Sequence, residues 1–371
     1  MRTFLGMKRQ RCHFALALAL SLLVLPVSAE TLIWSDEFNT GPILDPNTWS
    51  YDIGDGCASG ICGWGNAEFQ LYTSDPANVR VDGGQLIITA VRDLVNGPSD
   101  PGPDEVNFTS ARVKTIDRLE FKYATVEARI QLPDLADGLW PAFWTLGANI
   151  PTVGWPACGE IDIFEMGNSG AIAQNVINRR VGSTAHWDSF GNYAGYGLDY
   201  TSPTDLNDQF HIYRMEWTPD HITTYIDGIW IWTIDISNPA AFGGEEFHEP
   251  HFFLLNMAVG GNYTGITGDP FGVTANFPAE YRVDWIRIYD NGFTELSGPG
   301  APISLLAGRT GSDVELTFPT QAGLTYDVLY KTDLAESSWS LLQQVVGDGS
   351  FMTVTDSIAS SAAFYRIEAQ N

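Results

Sequence analysis

Positive charge is scarce in this 371-residue chain: 19 lysines and arginines stand against 45 aspartates and glutamates, a formal net charge of −26. So acidic a surface repels phosphate backbones and anionic bilayers, which argues against nucleic acid and membrane surfaces as partners. Cysteine is scarce as well. Of four, Cys12 lies in the N-terminal leader and Cys158 has no Cys/His motif around it, so it reads as a buried packing residue. Cys57 and Cys62 lie in the Gly-containing loop Cys-Ala-Ser-Gly-Ile-Cys and can close a small disulfide after export. No Cys/His spacing fits zinc. Long helical periodicity is missing, and beyond Leu25 no run is apolar enough to span a membrane.

The first 29 residues read as an export signal. Arg2, Lys8, Arg9 and Arg11 form a basic start, Phe14 to Leu25 an apolar run, and Val27-Ser28-Ala29 a small-residue cleavage site. The run is short for a membrane anchor and ends at Pro26. Cleavage after Ala29 removes four basic residues and no acids, leaving 15 against 45, or −30. The expected destination is secreted or periplasmic, with no membrane contact afterwards and a monomeric product.

The mature chain alternates in short strand-like stretches separated by Gly, Pro, Asn and Asp turns. Gln85 to Val91, Tyr123 to Gln131, Ile212 to Thr218 and Thr223 to Ile226 are examples. This pattern predicts an all-β, two-sheet sandwich large enough to bury its own core. Asn96 to Asp104 reads as a surface loop. Composition shifts at Leu296-Ser-Gly-Pro-Gly-Ala-Pro302. The expected organisation is therefore a signal over 1–29, a main domain over 30–292, a linker over 293–302 and a small all-β accessory module over 303–371. In that module Val314, Leu316 and Phe318 alternate, as do Tyr326, Val328 and Tyr330, and then Trp339 and Leu341. Its aromatics read as core.

The stretch around which the chain is organised is Gly159-Glu-Ile-Asp-Ile-Phe-Glu165, with three carboxylates in six residues. On a strand Glu160 and Asp162 share a face, and Glu165 falls on the other. One bulged residue between Asp162 and Glu165 puts all three on one face. A solvated outer face is the bland explanation. Against it, Trp140, Phe143, Trp144 and Trp155 lie just upstream. Rings stack on sugar faces and paired carboxylates break glycosidic bonds, so an aromatic, acid-lined groove suits a neutral sugar chain.

Glu-Ile-Asp-Ile-Phe-Glu resembles the active-site strand of glycoside hydrolase family 16, in its longer, bulged form. Trp34-Ser-Asp-Glu-Phe38, Gly63-Trp-Gly-Asn-Ala-Glu68, Gly138-Leu-Trp-Pro-Ala-Phe-Trp144, Asn256-Met-Ala-Val-Gly-Gly261 and Val283-Asp-Trp-Ile-Arg-Ile-Tyr289 agree in order, over roughly residues 31 to 291. The resemblance implies a jelly roll of concanavalin A type with a substrate cleft. It also implies a retaining endo-β-1,3-glucanase of the laminarinase-like branch that needs no cofactor for catalysis. Glu160 would be the nucleophile, Glu165 the general acid then base, and Asp162 a hydrogen-bonding neighbour tuning the nucleophile. On a flat strand the Cα atoms of Glu160 and Glu165 stand about 13 Å apart, so curvature and long side chains must close the gap that retaining chemistry requires.

The resemblance further places Asn66 and Glu68 on the glycone side, Trp140, Trp144 and Trp155 at the cleft, and His186 near the leaving-group sugar. A turn and a satisfied strand histidine are the plainer readings of Asn66-Ala-Glu68 and His186. It also implies a structural calcium at residues matching Glu37, Gly84 and Asp284, whose oxygens suit a hard cation; the alternative is that Asp284 only pairs in the sheet. A galactanase of agarase or carrageenase type shares the bulged motif, and a non-catalytic glucan-recognition protein shares the fold. Gly63-Trp-Gly-Asn66, Gly154-Trp-Pro156 and the negative charge favour the glucanase, and such recognition proteins typically lose the catalytic acids.

Overall fold

The computed structural model describes residues 30–94 and 106–299, and 301–370 with interruptions at 302, 304, 311–312, 321–322, 334, 337, 349 and 358–362. The expected export signal over 1–29 and the expected loop over 96–104 lie outside the described residues.

The fold is all-β. A front sheet runs, in spatial order, Asn192–Thr201, Arg180–Ser189, Glu160–Glu165, Leu139–Gly147, His251–Val259, Arg112–Lys114 and Ser50–Asp52. A back sheet runs Ile229–Asp235, His221–Ile226, Phe210–Trp217, Thr125–Gln131, Ala279–Asp290, Gln85–Leu94, Val106–Ser110 and Gln70–Tyr72. Strands adjacent in space are often distant in sequence: Thr31–Asp36 pairs with Ala279–Asp290, closing the first strand of the sandwich onto one of its last. This is the two-sheet sandwich that the alternation predicts, with the jelly-roll form that the resemblance implies.

Period-two alternation drives the collapse. Val126, Ala128 and Ile130 point inward from the back sheet, as do Ile286 and Ile288, and all are fully buried. Phe143, Ile161, Ile163 and Phe164 meet them from the front sheet. Phe164 stacks on Tyr213 of the opposite sheet with centroids 4.1 Å apart; burial of one such ring contributes about 2 kcal/mol. A polar knot sits in the same layer. Ser183 Oγ donates to the Asp162 carbonyl (2.6 Å), accepts from the Trp232 indole N–H (2.7 Å) and lies 2.9 Å from Thr224 Oγ1. That knot ties the strand carrying the acids to the back sheet, with every buried polar atom in it partnered.

The C-terminal residues build two three-stranded sheets around a separate core of Val314, Leu316, Phe318, Tyr326, Val328, Val345, Val354 and Ala369. Two details differ from the sequence reading. Leu341 is exposed and Leu342 packs inward, while Trp339 is half-buried under the Lys331 ammonium at 5.0 Å. A bulge between Val328 and Leu329 shifts the pairing with this strand, so the inward phase moves by one residue. The linker also starts later than 293. Glu295–Ser297 is a strand paired with Glu120–Lys122, and Leu296 packs on the main core.

Candidate active site

The bulge in the acid-bearing strand is at Ile163. Toward one neighbour Phe143 pairs with Phe164 and Trp144 with Asp162; toward the other Thr184 pairs with Asp162 and Gly182 with Glu165. Ile163 is thus left without an opposite residue on either side. Ile161, Ile163 and Phe164 all reach the core, and Glu160, Asp162 and Glu165 share the outer face.

Each glutamate is held by a different tryptophan. The Trp155 indole N–H donates to Glu160 Oε2 at 2.8 Å, and the Trp140 indole N–H donates to Glu165 Oε1 at 2.9 Å. Asp162 lies between them, its Oδ2 3.1 Å from His186 Nε2. The His186 ring is oriented by Tyr193, whose hydroxyl is 2.9 Å from Nδ1. Burial pushes all three carboxyls up. Glu160 rises to about 8, with the Asp162 charge adding to desolvation and His186 and Trp155 opposing. Asp162 rises to about 7 through desolvation, opposed by its hydrogen bond with Glu160. Glu165 is driven well above the carboxylate range by desolvation and then by Asp162, against the Trp140 hydrogen bond. Each charge raises its neighbours, so the three carboxyls titrate as one coupled set.

Trp140 and Trp144 share the outer face of one strand. Trp144 donates to Asn256 Oδ1 (2.7 Å) from the adjacent strand. Asn66 and Glu68 come up beside Trp140: a Cβ on Gly261 would meet Asn66 O at 3.0 Å, Glu68 Cγ at 3.2 Å and Trp140 Cζ3 at 3.4 Å. At φ +92° that position takes glycine for a second reason. Glu68 accepts from Gln70 Nε2 (2.6 Å), Tyr72 OH (3.3 Å) and Asn66 Nδ2 (3.4 Å), and burial raises its pKa although the Arg112 charge pulls it down. Trp155 is 53% exposed, its ring 5.5 Å from Tyr193. The six residues therefore fall on two sides of the carboxyls, with Asn66, Glu68, Trp140 and Trp144 on one and Trp155 and His186 on the other. On the latter side a cavity of about 490 Å³ is lined by His186, Tyr193, Tyr196 and Asp199.

Sequence reasoning missed Tyr263, Tyr193 and Gln70. Tyr263 stacks on Trp140 (centroids 4.9 Å, 15° between planes) and covers one face of that indole. It follows the Gly260-Gly261 pair by two residues, the one local signal that pointed to it. Gln70 shares the strand face of Glu68 by simple alternation. Tyr193 carried no signal, because only the hairpin between Arg180–Ser189 and Asn192–Thr201 brings it to His186.

Glu37, Gly84 and Asp284 do not fit a cation as arranged. Both Glu37 oxygens accept from Arg287 (2.9 and 3.0 Å), and Asp284 Oδ2 accepts from Arg129 Nη1 (2.5 Å). Gly84 offers only its carbonyl. With both carboxylates neutralised by arginines, the set lacks the free charge that holds calcium. Among the described residues the acid and histidine atoms gathered within 4.8 Å of one another are those of Glu160, Asp162 and His186. Cys57 and Cys62 are bridged, and Cys158 is free and buried.

An acid-lined face on a β-sandwich, with two carboxyls separately held by indoles, fits the class of proteins that bind and cleave sugar chains. The model of "Glycosyl hydrolases family 16" matches residues 66–287, and the chain belongs to that family. It is 36% identical over 284 residues to "Glucan endo-1,3-beta-glucosidase A1" of Niallia circulans, covering 71% of this chain and 38% of that protein. It is 35% identical over 267 residues to "Beta-glucanase" of Rhodothermus marinus, covering 70% of this chain and 84% of that one. The chain thus spans little more than a third of the length of the first relative. Among solved structures, the catalytic domain of an endo-1,3-β-glucanase (laminarinase) from Thermotoga petrophila RKU-1 shares 38% identity at a TM-score of 0.59, covering 71% of this chain and 99% of that one.

Proposed function

We propose that the protein is an endo-β-1,3-glucanase that cuts internal bonds of neutral β-glucan chains with retention of configuration, outside the cytoplasm and as a monomer. Glu165, still protonated near neutral pH, donates its proton to the glycosidic oxygen as Glu160 attacks the anomeric carbon and the leaving chain departs. A glycosyl ester on Glu160 results. Water then attacks the same carbon, gives its proton to the Glu165 carboxylate, and releases Glu160. Asp162 takes the proton of its pair with Glu160 and leaves the nucleophile ionised.

The observation that carries this reading is the division of the site by the Ile163 bulge. It leaves Glu160 and Glu165 on one face, each held by its own indole N–H, with Asp162 between them against His186. Asn66, Glu68, Trp140 and Trp144 would bind the glycone, and Trp155 and His186 the leaving-group side. The net charge of −26 and the names of the relatives support a neutral β-1,3-glucan over a sulfated galactan. The test is reducing-sugar release from laminarin, lichenan, agarose and carrageenan. Laminarin is expected to be cut fastest, with an early fall in viscosity; faster release from either galactan would overturn the substrate assignment.

A further inference from the structure

The back sheet carries a second aromatic surface on the side away from the acids. Its edge strand, Ile229–Asp235, pairs with His221–Ile226 and has a bulge at Ile231: Tyr225 faces Trp230, Thr224 faces Trp232, Thr223 faces Thr233 and His221 faces Asp235. The bulge sends both Ile231 and Trp232 into the core and turns Trp230 out. Trp230 is 54% exposed, yet its ring is held, because its indole N–H donates to Thr233 Oγ1 at 2.9 Å. Its cross-strand partner Tyr225 is likewise held, its hydroxyl donating to Glu216 Oε2 at 3.1 Å. Thr223 and Thr233 bond to each other at 2.9 Å and form the floor beyond the two rings. That floor opens into a shallow cavity of about 520 Å³ bounded by Asp220, His221, Thr223, Thr233, Asp235 and Ser237.

The geometry points to a non-catalytic binding site for a neutral β-glucan chain on this outer face, centred on Trp230 and the threonine floor. A pinned, exposed indole offers a flat apolar surface to the C–H face of a pyranose ring at little entropic cost. Threonine hydroxyls and the Asp220 and Asp235 carboxylates offer donors and acceptors to sugar hydroxyls. The cavity lining contains no lysine or arginine and two carboxylates, so an anionic ligand finds no counter-charge there and a neutral polyol meets no penalty. The choice of glucan rests on the function proposed above. Such a site would hold a second stretch of polymer while the front face cuts, raising the local concentration of substrate.

The test compares full-length Glu160→Gln, which does not consume polymer, with Glu160→Gln/Trp230→Ala. Both are run in native gels cast with laminarin and sedimented with an insoluble β-1,3-glucan. Loss of Trp230 is expected to weaken retention about tenfold on the insoluble glucan. Trp230→Phe, which keeps a ring, should recover most of it. Trp230→Ala alone should retain the wild-type melting temperature and its kcat/KM on a short soluble oligosaccharide. Retention unchanged by Trp230→Ala, or a Glu160→Gln chain that is not retained at all, overturns the site. A wild-type chain that cuts no β-1,3-glucan while Trp230→Ala still abolishes retention would overturn the proposed reaction and leave the site standing.

Discussion

Ionising Glu165 is costly to the folded state, and so it keeps its proton. Its pKa in the fold lies well above the ordinary carboxylate range, mainly from desolvation. A group raised in this way stabilises the fold fully below its unfolded pKa, and that contribution is lost as pH rises through the folded value. Glu160 and Asp162 act in the same direction. The melting temperature should therefore fall between about pH 5 and about pH 8, and Glu165→Gln should be more stable than wild type at the upper end of that range. A flat wild-type profile by calorimetry would show that these carboxyls are ordinary. Catalysis responds to pH in the opposite direction. The Glu160–Asp162 pair must lose one proton before Glu160 can attack, so kcat/KM should rise toward neutrality and not level off near the usual carboxylate value.

At the scale of elements, one extra residue reconciles the spacing of the three acids with a single face. Deleting Ile163 removes the bulge and restores a regular period of two, in which Glu160, Asp162 and Glu165 still face out and Phe164 still faces in. The deletion variant should therefore keep measurable glucanase activity, with a lower melting temperature from the lost buried isoleucine. Ile163→Ala keeps the residue count; it should leave the chemistry largely intact and cost about 2–4 kcal/mol of stability, measured by denaturant unfolding. A deletion variant that folds but has no activity would mean that the spacing the bulge supplies, and not only the shared face, is required. This element was legible because three acids in six residues contradict a flat strand, and a bulge is the smallest repair. The shared face of Trp140 and Trp144 followed from the same alternation. What these side chains touch did not follow. Trp140 reaches Glu165 across 25 residues of chain and is covered by Tyr263 from much further on, a contact set by strand order. The ion pairs of Glu37 and Asp284 were hidden for the same reason, since Arg287 and Arg129 reach them only in the assembled sheet. In the C-terminal module a single bulge exchanged Leu341 for Leu342, below the resolution of pattern reading.

At the scale of the molecule, two hydrophobic cores share no buried residue, and the front-sheet pairing ends at Ser297. We propose that residues 30–299 fold and act without the C-terminal module. Gly298 belongs with the main body, since a Cβ there would collide with the Arg118 carbonyl at 2.1 Å. A chain ending at Pro299 should hydrolyse soluble laminarin with kcat/KM within about twofold of the full chain, because surface far from a site changes its chemistry little. Loss of folding in that chain would show that the two parts depend on one another.

The central claim is the division of labour between Glu160 and Glu165, and chemical rescue by azide tests it most directly. On an activated aryl glycoside, protonation of the leaving group matters little, so Glu165→Ala should form the glycosyl-enzyme rapidly and then stall for want of a base. Azide needs no base and should release the β-glycosyl azide, the retained product. Glu160→Ala has lost the nucleophile, so turnover should vanish, and any azide product should have the α configuration. NMR of the azide adducts from the two variants reads the answer. A β-azide from Glu165→Ala with only α-azide or nothing from Glu160→Ala is the predicted result; the opposite pattern would contradict the assignment of both residues.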